Sequence, residues 1–163
     1  MNLVAFLLIF LHCLCSVSQA GELPPFAVAV QPVPVFNSPK AALPGAALKK
    51  DGCGQVRSLE MIALPGTIFK VIATVPGTEN ILQVTTDDYQ APAGTSLYVA
   101  AKLLKLSSTA PLPRRPQLPQ QDAILQKLLT AVGLPYIWGG NLREGVNDGV
   151  QQRFAGLDCS GLL

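Results

Sequence analysis

Cys159 stands in the stretch GLDCSGLL, residues 156 to 163, between an aspartate and a serine with glycines on both flanks. A thiol so placed is a candidate nucleophile, provided it is populated as a thiolate near neutral pH. A helix opening at Ser160 would favour that, because unpaired amides and the helix dipole stabilise negative charge at an N-terminus. The same amides can hold the oxyanion of a tetrahedral intermediate, with the N–H of Cys159 as one donor. Gly156 and Gly161 would let a substrate approach the backbone. A second stretch, LPYIWGG at 134 to 140, contributes a tyrosine, a tryptophan and two glycines. Each piece alone has a bland meaning: a small-flanked cysteine is often apolar filler, and Trp-Gly-Gly is often only a tight turn. Nucleophilic cysteine chemistry further needs a base to take the thiol proton and later return it to the leaving amine. The one histidine of the chain is His12.

The elements around these residues change character along the chain. In QQDAILQKLLTAVGLP, the apolar positions Ile124, Leu125, Leu128, Leu129 and Val132 share one helical face. Asp122 suits the helix start, as a cap or against the dipole; Gly133 suits the left-handed C′ position, and Pro135 prevents continuation. Before it, residues 107–121 (SSTAPLPRRPQLPQQ) read as a proline-stiffened linker. Residues 21–106 read as short strands punctuated by turns at Asn37-Ser38-Pro39, Leu64-Pro65-Gly66, Pro76-Gly77 and Asp87-Asp88. That pattern predicts a small all-β barrel of roughly 80 residues. FAVAVQPVPVF, at 26 to 36, alternates but carries Pro32 and Pro34, which predicts an edge strand at best.

Residues 1–20, MNLVAFLLIFLHCLCSVSQA, hold an apolar run from Leu3 to Leu14 and a small-x-small pair, Ser18 and Ala20, before Gly21. This reads as a secretory signal peptide, too short to span a bilayer comfortably, so the mature chain is expected to be exported to the periplasm or cell envelope without stable membrane insertion. Cys13, Cys15 and His12 would leave with it, and Cys53 and Cys159 would remain. Two thiols in an exported protein can pair, but nothing in the sequence brings these two together. The net charge of +2 is too weak to argue for nucleic acid, and no stretch interleaves basic and aromatic residues.

Taken jointly, an amphipathic helix leading into LPYIWGG and then GLDCSGLL resembles the NlpC/p60 family of cell-wall cysteine peptidases, over about residues 120 to 163. Residues 141 to 158 make a longer connection than the family usually has, so NLREGVNDGVQQRFA is expected to be an inserted loop. The resemblance implies that 122–163 is the start of a papain-like α+β domain. It makes Cys159 the nucleophile. It has Tyr136, Asp158 and Ser160 shape the site and contact the substrate's amino end, and it makes Trp138, Gly139 and Gly140 scaffold beneath the cysteine. The implied substrates are peptidoglycan stem peptides, cut at an amide such as γ-D-glutamyl-diaminopimelate through a thioester, with no metal or organic cofactor. Residues 26 to 106 resemble a bacterial SH3-like (SH3b) domain, with PVPVFNSP as its opening strand, ALPGTIFKVI as a central strand, and ILQVTTDDY and SLYVAAKLL as closing strands. Such a domain would grip wall peptide or narrow the entrance to the site.

The family's general base is a histidine on a sheet that follows the cysteine. With no histidine but His12, the chain as it stands is expected to be inactive: a fragment, a decayed copy, or a short protein whose barrel is the working part. A start of some forty residues, one helix and an unfinished second, is also expected to bury too little apolar surface to be stable alone. The alternative function is that of a non-catalytic, secreted wall-binding module.

Overall fold

A computed structural model describes residues 23–114 and 119–162. The expected signal peptide, the middle of the proline-rich linker and Leu163 lie outside the described residues. Strands form where β-branched and aromatic residues alternate between turns. They are β1 (Phe26–Ala29), β2 (Val33–Phe36), β3 (Leu59–Ala63), β4 (Ile68–Val75), β5 (Thr78–Thr85), β6 (Leu97–Ala100) and β7 (Leu104–Ser107). Pro76 and Gly77 close the β4–β5 hairpin, where Val75 pairs with Thr78. The seven strands make one antiparallel sheet in the order β3-β2-β6-β5-β4-β1-β7. Phe69, Leu59, Ile81, Val33, Val35 and Val99 are almost completely buried. They come from β2 to β6 and belong to a single core, so the sheet curls around it into a barrel-like body.

β1 and β2 are not edge strands. β1 pairs with both β4 and β7, and β2 with both β3 and β6. Proline is tolerated because Pro32 falls in the turn between them, while Pro34 sits where only β3 pairs along its length: β6 joins β2 at Phe36↔Tyr98 alone. All four residues of β2 are buried. Side chains alternate along a strand, so Val33 and Val35 face the core while Pro34 and Phe36 face outward. That outer face is covered by the C-terminal part of the chain, and Phe154 packs edge-on against Phe36 with ring centroids 6.0 Å apart.

Beyond β7 the linker does not leave the barrel at once. The Arg114 guanidinium lies on Asp88, 3.4 Å from Thr67 Oγ1 and 3.5 Å from the Pro65 carbonyl. Helix α1 spans Gln121–Thr130, with Gln120 as N-cap and Asp122 in the first turn. Asp122 therefore complements the dipole rather than capping. The C-cap is Ala131, so Gly133, left-handed at φ +83°, sits one position past C′. No residue of α1 is buried.

The expected inserted loop is an ordered ribbon. β8 (Asn141–Leu142) pairs with β11 (Gly156–Leu157), and β9 (Val146–Asn147) with β10 (Gln152–Arg153). Asp148 builds the tip: its Oδ1 accepts the amides of Val150 and Gln151 at 2.9 and 3.0 Å. Its Oδ2 accepts from Arg153 Nη1 at 2.7 Å and from the Gly45 amide at 3.3 Å. Arg153 Nη2 donates to the Ala46 carbonyl at 2.9 Å, and Asn141 Nδ2 to that of Ile62 at 2.8 Å. Burial works against the charge of Asp148, but the hydrogen bonds from Arg153 and from the amides of Gln151, Val150 and Gly45 outweigh it. They hold the carboxyl down at about 2. The ribbon is thus closed at its tip by a buried ion pair and fastened to the barrel by bonds to Gly45, Ala46 and Ile62.

Candidate active site

Residues 134–140 run beside the end of the ribbon like a short strand. Leu157 donates its amide to the Pro135 carbonyl at 3.2 Å, and Ile137 donates to the Leu157 carbonyl at 3.1 Å. The Asp158 amide then donates to the Gly140 carbonyl at 2.8 Å. This pairing fixes where the chain turns at Cys159. Asp158 caps the turn: its Oδ1 accepts the amides of Ser160 and Gly161 at 2.9 and 2.7 Å, and the Ser160 hydroxyl at 2.7 Å. Its Oδ2 accepts the Gly139 amide at 3.1 Å. Leu162 donates back to the Asp158 carbonyl at 3.2 Å, an i→i+4 bond that makes residues 158–162 a single helical turn. Cys159 occupies the first position of that turn, and among the described residues its own amide has no acceptor.

Cys159 is exposed and its thiol free; so is that of Cys53. Beside Cys159 opens a cleft of about 410 Å³ lined by Leu128, Val132, Tyr136, Leu157, Asp158 and Leu162. Tyr136, Asp158 and Cys159 therefore share one cavity, whereas Ser160 is spent on the Asp158 cap and does not line it. Trp138 points away from the cleft. Its ring lies under the Arg57 guanidinium of the barrel, 4.2 Å from the centroid. The ring is a contact to the barrel rather than a floor beneath the cysteine. Gly139 and Gly140 are buried.

The glycines beside Cys159 serve chain-to-chain contact rather than substrate approach. A Cβ on Gly156 would lie 2.3 Å from the Pro135 carbonyl oxygen, and one on Gly161 would lie 2.2 Å from that of Gly140. Both are glycine because two backbones meet there.

Several residues at the site were not apparent from the sequence. Glu60, on β3, accepts from the Tyr89 hydroxyl at 2.7 Å and from Asn37 Nδ2 at 2.6 Å. Its backbone packs against Gly139, the residue whose amide holds Asp158. Burial, then the bond to Glu60 and its charge, and then the charge of Asp158 push the Tyr89 phenol up to about 12. The Tyr89 phenol is thus held in its protonated form as a donor to Glu60. Among the described residues no group of three His, Cys, Asp or Glu side chains could hold a metal ion, and no helix is long and apolar enough to cross a membrane.

Set against models of known protein families, curated proteins and solved structures, the chain matches none.

Proposed function

We propose that residues 134–162 carry the thiol half of a cell-wall cysteine peptidase of the NlpC/p60 type, mounted on a bacterial SH3-like barrel. The observation that carries the reading is Cys159: an exposed free thiol beside an apolar cleft, first in a turn capped by Asp158, with its own amide uncommitted. Attack of the thiolate on a peptide carbonyl forms the S–C bond and places the oxyanion within reach of that amide. Collapse breaks the C–N bond, and the amine departs with a proton. Water then cleaves the thioester, returning the thiol and releasing the carboxylic acid. On this reading α1 and the Cys159 turn open a papain-like α+β domain. The proton acceptor is a histidine supplied from outside these residues, since the chain has only His12.

Asp158 supports a substrate with a cationic amino end: it lines the cleft beside Cys159 and offers an ammonium group negative charge there. A peptidoglycan stem peptide cut at an amide such as γ-D-glutamyl-diaminopimelate has that chemistry, and the N-terminal apolar run supports export to the envelope where it is found. Digesting purified peptidoglycan with the complete gene product should release stem-peptide fragments that Cys159→Ala does not release. Equal digestion by both would remove the reading. Residues 21 to 163 alone should show no turnover.

A second reading, a secreted wall-binding module without catalysis, is favoured by one feature of the barrel. A groove of about 460 Å³ runs between β5 and the 86–96 loop, lined by Gln83, Thr85, Thr86, Tyr89, Thr95 and Ser96 among others. Its hydroxyl and amide side chains suit a polar wall polymer. Peptidoglycan sedimentation by wild type and Cys159→Ala alike, with no fragments from either, would select it.

A further inference from the structure

The strand-like segment 135–140 has two edges. One edge pairs with residues 157–158, as described, and uses Pro135 and Ile137. Alternation turns the polar groups of Tyr136 and Trp138 to the other edge. Among the described residues no strand lies there. The side-chain amide of Gln55 takes its place: Nε2 donates to the Tyr136 carbonyl at 3.3 Å, and Oε1 accepts the Trp138 amide at 2.9 Å. One side chain thus satisfies a donor and an acceptor two residues apart, as a paired strand would.

Gln55 is itself held in place. Asp51 Oδ1 accepts the amides of Cys53 and Gln55 at 2.9 and 2.8 Å, and its Oδ2 accepts Arg57 Nε at 2.6 Å. The bond from Arg57 and the amide of Gln55 hold the Asp51 carboxyl below its ordinary value, and Asp51 in turn raises Arg57. The loop 51–57 is therefore preorganised around one carboxylate. It presents Gln55 to the backbone of Tyr136 and Trp138 and the Arg57 guanidinium to the Trp138 ring.

We infer that Gln55, with Arg57 supporting it, is a positioning residue for the thiol: a barrel side chain that sets the register of Tyr136–Trp138 and through it the pitch of the Cys159 turn. The path runs from Gln55 to Trp138, on to Gly139 and Gly140, and from those two to Asp158, whose side chain and amide they hold. This rests on the reading of Cys159 as the reacting group. It adds that the barrel builds the site as well as gripping substrate, so the thiol segment is not expected to organise itself apart from it.

Trp138 is the chain's one tryptophan, so its fluorescence reports this segment directly. Hydrogen exchange of the full chain resolves it by position, without need of activity, so the test stands even if no peptidoglycan is cut. Gln55→Met keeps the side-chain length and removes both bonds. It should raise acrylamide quenching of Trp138 and speed exchange of the Trp138 amide by roughly fivefold, the worth of its one bond to Gln55. The same variant should speed exchange at Ser160 and Gly161 while leaving the amides of β4 and β5 at wild-type rates. Gln55→Glu keeps the acceptor for the Trp138 amide but sets a carboxylate oxygen against the Tyr136 carbonyl, so it should restore part of the protection at Trp138. Acceleration at Trp138 with Ser160 and Gly161 unchanged would overturn the inference. So would uniform acceleration through β4 and β5 in both variants, which would make Gln55 a residue of the fold only.

Discussion

The barrel and the thiol segment are held by different physics. Residues 26–107 bury one continuous apolar core, with Phe69, Leu59 and Ile81 fully withdrawn from water. Residues 121–162 bury almost none of their own. The apolar face of α1 stays exposed, with Leu125 and Leu129 each more than half accessible. What fixes this part is borrowed from the barrel: the Gly45 amide on Asp148, the Ala46 carbonyl on Arg153, the Ile62 carbonyl on Asn141, Phe36 on Phe154, and Gln55 and Arg57 on the tyrosine–tryptophan stretch. Burial is non-directional and tolerates small shifts, whereas hydrogen bonds and ion pairs are specific in geometry. The turn that carries Cys159 is thereby held mainly by directed contacts, with the apolar core beneath as foundation.

This contrast can be broken at either end. The largest effect is expected from Phe69→Ala, which should cost about 3–5 kcal/mol and loosen barrel and thiol segment together, read as a lowered denaturant midpoint for both. Next is Asp148→Asn, which leaves the Arg153 guanidinium in a nearly closed setting without its counter-charge. It should cost about 3 kcal/mol locally, seen as faster hydrogen exchange over residues 141–157 with the β4–β5 amides unchanged. If both regions loosen alike, the ribbon is part of the core and the contrast fails.

Acid should act on the same clip. The Asp148 carboxyl is lowered to about 2 in the folded protein from an ordinary 3.8. Its contribution is therefore complete above pH 4 and is lost as pH falls from there toward 2, by about 2 kcal/mol in all. A stability titration should show that acid limb in the wild type and a flatter one in Asp148→Asn. The smallest effect is expected from Leu125→Ala on the exposed face of α1, within about 0.5 kcal/mol. A larger loss would mean that α1 has a packing partner within this chain.

Turn chemistry was the most legible part of the sequence. Pro65-Gly66 and Pro76-Gly77 do turn the chain, and the alternating run TIFKVIATV is a strand with Phe69 inward and Lys70 outward. The placement of β1 and β2 was not legible. A proline argues against an interior strand only if a neighbour needs its N–H, and the short reach of β6 along β2 decides that here. Cys159, Tyr136, Asp158 and Ser160 were singled out through the family resemblance of LPYIWGG and GLDCSGLL; the first three line one cleft and Ser160 does not. Glu60, Tyr89 and Gln55 could not. They lie far from Cys159 in sequence and reach the site only through the register of β3 and the course of two barrel loops. Asn147-Asp148-Gly149 is a turn signal whose aspartate organises the ribbon tip and pairs across the hairpin with Arg153; its bond to the Gly45 amide depends on docking that no local pattern encodes.

The central claim is that Cys159 forms the acyl bond. Peptidoglycan stem peptide should be mixed with the complete gene product, the reaction stopped in acid during turnover, and the peptide that carries Cys159 weighed. A mass increase equal to the acyl half of the substrate, located on Cys159 and removed by hydroxylamine, is the result this account predicts. Stem-peptide cleavage that proceeds with Cys159 unmodified, and continues in Cys159→Ala, would contradict it.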